Sequence, residues 1–318
     1  MSISELVIGV DVGGTKVLGG VVDSNGKIIT ELRKDTPVSG GKDLTNVIAQ
    51  VINELQAGSG AIAAGISIAG FISSDRSTIN ATPNIANYNG INLQAELNNL
   101  VNIPVTIEND ANAAAWGEAK FGAGIDCLEM IMVTVGTGIG GGIVYDGKIY
   151  RGGFGMAGEF GHMRLVPDGH ICGCTRRGCV EQYASGTALV RHAREAVTAS
   201  PDLARSLLAR GDGTIEGLNG KILTAAAKDN DPIALAAFNT TGEYLGAAIA
   251  SYCTLFDPLM VVIGGGVVEA GDILLKPTIE SYQRLLPFTG KRPFANIVPA
   301  KMKNEAGLIG AADLARNS

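Results

Sequence analysis

Leu6–Arg33, LVIGVDVGGTKVLGGVVDSNGKIITELR, holds three short runs rich in Val, Ile and Leu, separated by two tight turns. The pattern predicts strands over Leu6–Val10, Val17–Asp23 and Lys27–Arg33. Asp11-Val-Gly-Gly-Thr-Lys16 joins the first pair, and Ser24-Asn-Gly26 is a strong hairpin turn for the second. The plan recurs downstream, where Met130–Val135 and Gly141–Tyr145 flank Gly136-Thr-Gly-Ile-Gly140 and Asp146-Gly147 turns the chain into Lys148–Arg151. Two copies of strand, Gly/Thr turn, strand, Asn-Gly or Asp-Gly turn, strand imply duplicated lobes that face each other.

Between the copies, Leu44–Leu55 and Leu93–Asn99 read as helices and Ala64–Ala69 as a strand. A short strand, Val105–Ile107, precedes a helix over Ala111–Phe121. The second half is mainly helical, over Ala188–Ala199, Leu203–Arg210, Ile222–Asp229 and Ile233–Phe256. Leu259–Ile263 then runs as a strand into Gly264-Gly-Gly266, and Glu305–Arg316 closes the chain as a helix. With 318 residues, 46% of them hydrophobic, two lobes with sizeable cores are expected. The net charge of −6 argues against a nucleic-acid surface. No secretory signal stands at the N-terminus, and glycines break the apolar stretch Leu128–Tyr145, so neither export nor a membrane span is expected. Five cysteines, three of them clustered with a histidine, suit a reduced cytoplasm better than a disulfide framework. Cys127 and Cys253 read as buried small hydrophobes.

Chemistry concentrates at four places. In the first hairpin, Gly13 and Gly14 let backbone N–H groups approach an anion and Thr15 can donate a hydrogen bond. Lys16 could neutralise phosphate charge there, while Asp11 could hold Mg²⁺ directly or through water. Gly136, Thr137 and Gly138 repeat the recipe. Either hairpin alone reads as an ordinary turn, but the mirrored pair, with Gly265 and Gly266 after a strand, favours nucleotide binding. In Ile107-Glu-Asn-Asp-Ala-Asn112, a strand ends and a helix begins. Asn109 or Asp110 would serve as N-cap, yet four polar side chains exceed that need. A carboxylate at a helix start is held ionised by the dipole, which makes Asp110 a ready proton acceptor. Finally, His162, Cys172, Cys174 and Cys179 form a Cys₃His set, the closed tetrahedral composition of structural zinc. Glu159 and Glu181 flank it. His170 is expected in solvent within that loop, and His192 on a helix surface.

DVGGTK at 11–16, ENDANAAAWGE at 108–118, GTGIGGG at 136–142, GEFGH at 158–162 and CGCTRRGCVEQ at 172–182 together resemble the ROK family of sugar kinases and repressors. Its bacterial, actinobacterial-type glucokinase branch has similar segments at EQYASGTAL 181–189 and IVPAKMKNEAGLIGAADLAR 297–316. One departure is Thr175, where that branch commonly has Gly, and it should bear on loop conformation. The resemblance implies an actin/hexokinase-like (ribonuclease H-like) α/β fold with a duplicated ββαβ-type core and an interlobe cleft. The smaller lobe would be 1–118 plus 303–318. The larger, 119–302, would carry the second hairpin, the zinc loop, the adenosine segment and the dimer contacts. The implied activity is ATP-dependent phosphorylation of glucose at its 6-hydroxyl, an entry step of glycolysis, with ATP, Mg²⁺ and structural Zn²⁺. Asp110 would take the hydroxyl proton, and Asn109, Glu159, His162 and Glu181 would grip the sugar beside Gly70 and Gly138. His162 would serve both metal and sugar. A homodimer or a dimer of dimers is implied.

Other readings keep the kinase and change the sugar to mannose, fructose or an N-acetylated amino sugar. A sugar-sensing regulator on the same fold would carry a helix-turn-helix of several dozen residues ahead of Asp11, where only about ten residues stand here. Neither nucleic acid nor membrane is an expected partner.

Overall fold

The computed structural model describes residues 5–83 and 85–316. The first meander is β1 (Val7–Val12), β2 (Lys16–Val22) and β3 (Ile28–Asp35). It is followed by α1 (Gly41–Ser59), β4 (Ala64–Ile68), a small hairpin of β5 (Phe71–Ile72) and β6 (Ile79–Ala81), α2 (Leu93–Asn98), β7 (Val105–Asn109) and α3 (Asp110–Phe121). The second meander is β8 (Met130–Val135), β9 (Ile139–Tyr145) and β10 (Lys148–Ile149). Then come α4 (Glu181–Ala184), α5 (Gly186–Ala199), α6 (Arg205–Leu208), α7 (Gly220–Lys228), α8 (Pro232–Phe256), β11 (Met260–Gly264), α9 (Asp272–Leu285), β12 (Asn296–Pro299) and α10 (Ala306–Arg316).

The duplication is visible in the sheets, whose orders are β3-β2-β1-β4-β7 and β10-β9-β8-β11-β12. Each is an antiparallel meander extended by two later strands. In the first sheet β1, β4 and β7 run parallel, with Asp11 opposite Ser67 and Ser67 opposite Glu108. Their carboxyl ends therefore finish side by side, the edge at which α/β sheets expose ligand sites. This is the ribonuclease H-like repeat of the actin/hexokinase fold.

The chain forms two compact units, Met1–Met132 with Gly142–Gly158 and Ala300–Ser318, and Val133–Gly141 with Glu159–Pro299. The sequence-based boundary assigned 119–132, 142–158 and 300–302 to the larger lobe; in the structure they pack with the first unit. Arg151 pairs with Glu108, Gly142 lies against α3 at Ala115, and Phe121 packs on Gly26. Residues 1–4, 84 and 317–318 of the expected smaller lobe lie outside the described residues.

In the first unit the strand alternation sends Ile8 and Val10 to one face, where Leu44, Ile48 and Ile52 of α1 cover them. Val7 and Val22 face the other way, onto Leu308, Ile309 and Ala312 of α10. The helix comes so close that a Cβ at Gly9 would stand 2.1 Å from the Leu308 carbonyl oxygen, and one at Gly65 1.8 Å from that of Ala311. Buried Glu118 ties the segment leading into α10 to α3 by accepting from the amides of Lys301 (3.1 Å) and Met302 (2.7 Å), and also accepts from that of Ala123 (2.7 Å).

The second unit is built around α8, which buries Phe238, Leu245, Ile249 and Tyr252 and packs against α9. No expected element covers α9, because Pro277 stands inside it. A proline in a helix removes a backbone donor; here its ring fills the space beside Gly242 of α8.

Candidate active site

In the first unit, three parallel strand ends deliver the polar groups. Asp11 closes on Ser67, whose hydroxyl donates to Oδ1 at 3.1 Å. Burial raises the Asp11 pKa, against the pull of Ser67 and the Lys16 charge. Gly13, Gly14 and Thr15 form a three-residue tip between β1 and β2; Gly14 and Thr15 are exposed, and Thr36 Oγ donates to the Gly13 carbonyl at 2.7 Å.

Asn109 is the N-cap of α3, its Oδ1 accepting from the amides of Ala111 (2.9 Å) and Asn112 (3.0 Å). Its Nδ2 donates to the Gly70 carbonyl at 3.1 Å, so two of the expected sugar residues are joined. Asp110 is the first residue of α3 and is accessible, as a group that meets a substrate must be. Protein mass around it nevertheless disfavours its charge. Burial, helped by the neighbouring Asp11 carboxylate, raises its pKa against the opposing Ala111 amide. Desolvation thus acts against the helix start, which was expected to hold Asp110 ionised.

In the second unit, Gly136–Gly138 is again a three-residue tip, with the Gly136 amide donating to the Gly138 carbonyl at 3.0 Å. The start of α5 braces it: the Gly186 amide donates to the Gly136 carbonyl at 2.7 Å and Thr187 Oγ to that of Thr137 at 2.8 Å. Gly265 lies against the Val135 backbone and Gly266 opens the following turn. Glu181 Oε2 accepts from the Ile139 amide at 3.1 Å, and a Cβ on Gly138 would come within 2.3 Å of it. Any side chain at 138 would displace that carboxylate.

The donor atoms of His162, Cys172, Cys174 and Cys179 all lie within 4.8 Å of one another. His162 Nδ1 is 3.6 Å from Cys172 Sγ, and Cys174 Sγ is 3.6 Å from Cys179 Sγ. Burial and the neighbouring thiols push Cys179 up to about 12, the penalty a cation at the centre would remove. The set fits a closed tetrahedral metal. The loop reverses at Thr175, which adopts a left-handed φ of 72°. Glu159, exposed, enters the 3-10 turn Phe160–His162.

The ROK family profile matches residues 7–318. The chain belongs to the ROK family. Among ROK relatives, a glucokinase of Streptomyces coelicolor is 45% identical over 311 residues, 98% of each chain. An N-acetylmannosamine kinase of Escherichia coli is 32% identical, covering 97% of this chain and 98% of its own. A ROK glucokinase from Streptomyces griseus, solved with glucose and AMPPNP, superposes with a TM-score of 0.87 at 43% identity, covering 98% of this chain and 100% of that one.

Several neighbours of the candidate residues escape sequence reading. Thr82 is buried beside Gly70, and its hydroxyl has no partner among the described residues. Nothing in its surrounding turn composition marks it. Tyr252 lies far along the chain on α8, yet donates to the Phe160 carbonyl at 2.7 Å. His192 is corrected: it is half-buried, with Nε2 3.0 Å from the Tyr183 carbonyl oxygen, because α5 turns that face toward Tyr244. His170 is exposed as expected. Cys253 is buried, whereas Cys127 is half-exposed, its Sγ donating to the Glu129 carbonyl.

Proposed function

We propose that the protein phosphorylates glucose at its 6-hydroxyl with ATP, Asp110 acting as general base. The observation that carries this reading is the Asp11–Asp110 pair, at the carboxyl ends of β1 and β7 on either side of β4, in a chain that shares 45% identity with a glucokinase. Phosphoryl transfer asks mainly for positioning, charge neutralisation and a base that orients the attacking hydroxyl. A carboxyl raised toward working pH is a better-matched base than an ordinary one. Asp110 would accept the 6-hydroxyl proton, while Asn109, already locked by capping, keeps one Nδ2 hydrogen for the sugar. Glu159, His162 through its Nε2, and Glu181 would hold further hydroxyls, and the unpartnered Thr82 hydroxyl is suited to another. Directional acceptors of this density match a polyol.

Gly13–Lys16 and Gly136–Gly138 would receive the phosphates through backbone amides, with Thr15, Thr137 and Lys16 assisting and Gly265–Gly266 on the nucleoside side. Asp11 would hold Mg²⁺, which when bound offsets phosphate charge. Zinc on His162, Cys172, Cys174 and Cys179 would supply a fixed clamp with no open position. It would fix the tautomer of His162 and leave Nε2–H to donate.

A cytoplasmic setting is supported by five unpaired cysteines, and no helix among the described residues is long and apolar enough to cross a membrane. We read the assembly as a homodimer or a dimer of dimers; light scattering tests it.

Asp110→Asn tests the central assignment. Turnover should fall by about 10²–10⁴-fold, the usual contribution of a general base, while equilibrium glucose binding survives. Substantial turnover in the folded variant would remove Asp110 from that role. A panel of glucose, mannose, fructose and N-acetylated amino sugars, with ATP, ADP and polyphosphate as donors, fixes the substrates.

A further inference from the structure

One buried charge network in the first unit has no part in the proposed chemistry. Glu108, next to the Asn109–Asp110 turn, is only 2% exposed. Its Oε1 accepts from the Asn109 amide at 3.1 Å and from Asn112 Nδ2 at 3.2 Å. Its Oε2 accepts from Arg151 Nε at 2.8 Å and Nη2 at 2.5 Å, with Arg76 Nη1 3.6 Å away. The three residues come from separate segments: the end of β7, the turn between β5 and β6, and the chain just after β10.

The arrangement is costly. Arg76 adopts a left-handed φ of 59°, a conformation that non-glycine residues hold only where surroundings impose it. Burial and the adjacent Arg151 charge both lower the Arg76 pKa. A helix start needs only its N-cap, which Asn109 already supplies. Two guanidiniums on one carboxylate oxygen do something else: they fix the Glu108 side chain. Its other oxygen then holds the Asn109 amide and the third residue of α3. Asn109 is consequently held through its backbone by Glu108 and through its side chain by Gly70 and the helix amides.

We infer that Glu108, clamped by Arg76 and Arg151, is a positioning residue for phosphoryl transfer, fixing the Asn109–Asp110 turn and hence the aim of the Asp110 carboxylate. The inference rests on Asp110 as base. A misplacement of about 1 Å in a reacting group costs on the order of 100-fold in rate, so loosening this turn acts on kcat.

The test is steady-state kinetics on the metal-loaded enzyme with glucose and ATP varied separately. Glu108→Gln presents an amide N–H either to the arginines or to the Asn109 amide, so one side of the clamp opens. Its kcat should fall by about ten- to 100-fold with both KM values little changed. The assay is run far enough below the melting temperature that circular dichroism shows full folding, where a merely structural role leaves specific activity normal. If Glu108→Gln does not fold, Arg151→Lys carries the test, since it keeps the charge but loses the fork. It should lower kcat at unchanged KM. Wild-type kcat in the folded variant overturns the inference. Asp110→Asn is the control: if it is inactive while Glu108→Gln is fully active, only the positioning role fails. If it is active, the base assignment fails as well.

Discussion

Tyr252→Phe isolates the coupling between the core of the second unit and the Phe160–His162 turn proposed to face the sugar. The Tyr252 hydroxyl donates to the Phe160 carbonyl at 2.7 Å, and the two rings stack with centroids 4.3 Å apart. The substitution deletes one oxygen and keeps the stack and nearly all the buried area. The Phe160 carbonyl retains the Met163 amide at 3.3 Å, a long 3-10 bond. Leaving a buried acceptor wholly unsatisfied costs about 1–3 kcal/mol, and the surviving bond puts the loss at about 1–2 kcal/mol. In a chain of this size that lowers Tm by about 1.5–3 °C. The functional effect is separate. Glu159 enters the turn and His162 ends it, so slack at Phe160 moves both. A hydrogen bond to a charged group contributes about 1.5–3 kcal/mol. Losing half of one raises the glucose KM by about four- to twelvefold. The ATP KM should stay close to wild type. Coupled detection of glucose 6-phosphate, each substrate varied in turn, reads the kinetics, and thermal melting reads the stability. A lower Tm with an unchanged glucose KM, or an equal rise in both KM values, refutes the reasoning.

Three further outcomes are expected. Asp110→Asn should stabilise the fold increasingly with pH. The raised carboxyl of Asp110 costs nothing below the ordinary value of 3.8, and the penalty grows until pH passes its folded pKa. The variant's Tm advantage should therefore be larger at pH 7.5 than at pH 4, and a constant difference contradicts the burial argument. Chelation should lower both Tm and glucose affinity, with zinc restoring both; an equally stable and active metal-free protein rules out the clamp. Thr175→Gly relieves about 1–2 kcal/mol of left-handed strain. It adds about 0.5–1 kcal/mol of chain entropy, so a small net gain remains. Chelator-driven inactivation should slow, and faster inactivation contradicts the strain assignment.

Much of the site is legible in the chain because its signals are local. Gly/Thr tips between strand-like runs mark both hairpins, and metal-ligand spacing within His162–Cys179 needs no tertiary knowledge. Asn109 and Asp110 are visible because a strand, a cap and a helix meet within a few residues. Thr175 is flagged by its unusual residue type, and its left-handed φ supplies the reason. Proline misleads at α9, since a local breaker is tolerated where Gly242 on α8 accommodates the ring.

What the sequence alone determines is periodicity, turn chemistry and donor type, all short-range properties of the backbone and side chains. What only the tertiary structure decides is partnership across long chain separations. Register sets Asp11 opposite Ser67, within reach of its hydroxyl, and the surrounding protein raises the Asp110 pKa. Arg76 and Arg151 meet on Glu108, and Tyr252 reaches Phe160, because packing brings together segments whose own sequences carry no mark of the other. Desolvation and charge pairing depend on such neighbours, and the fold supplies them.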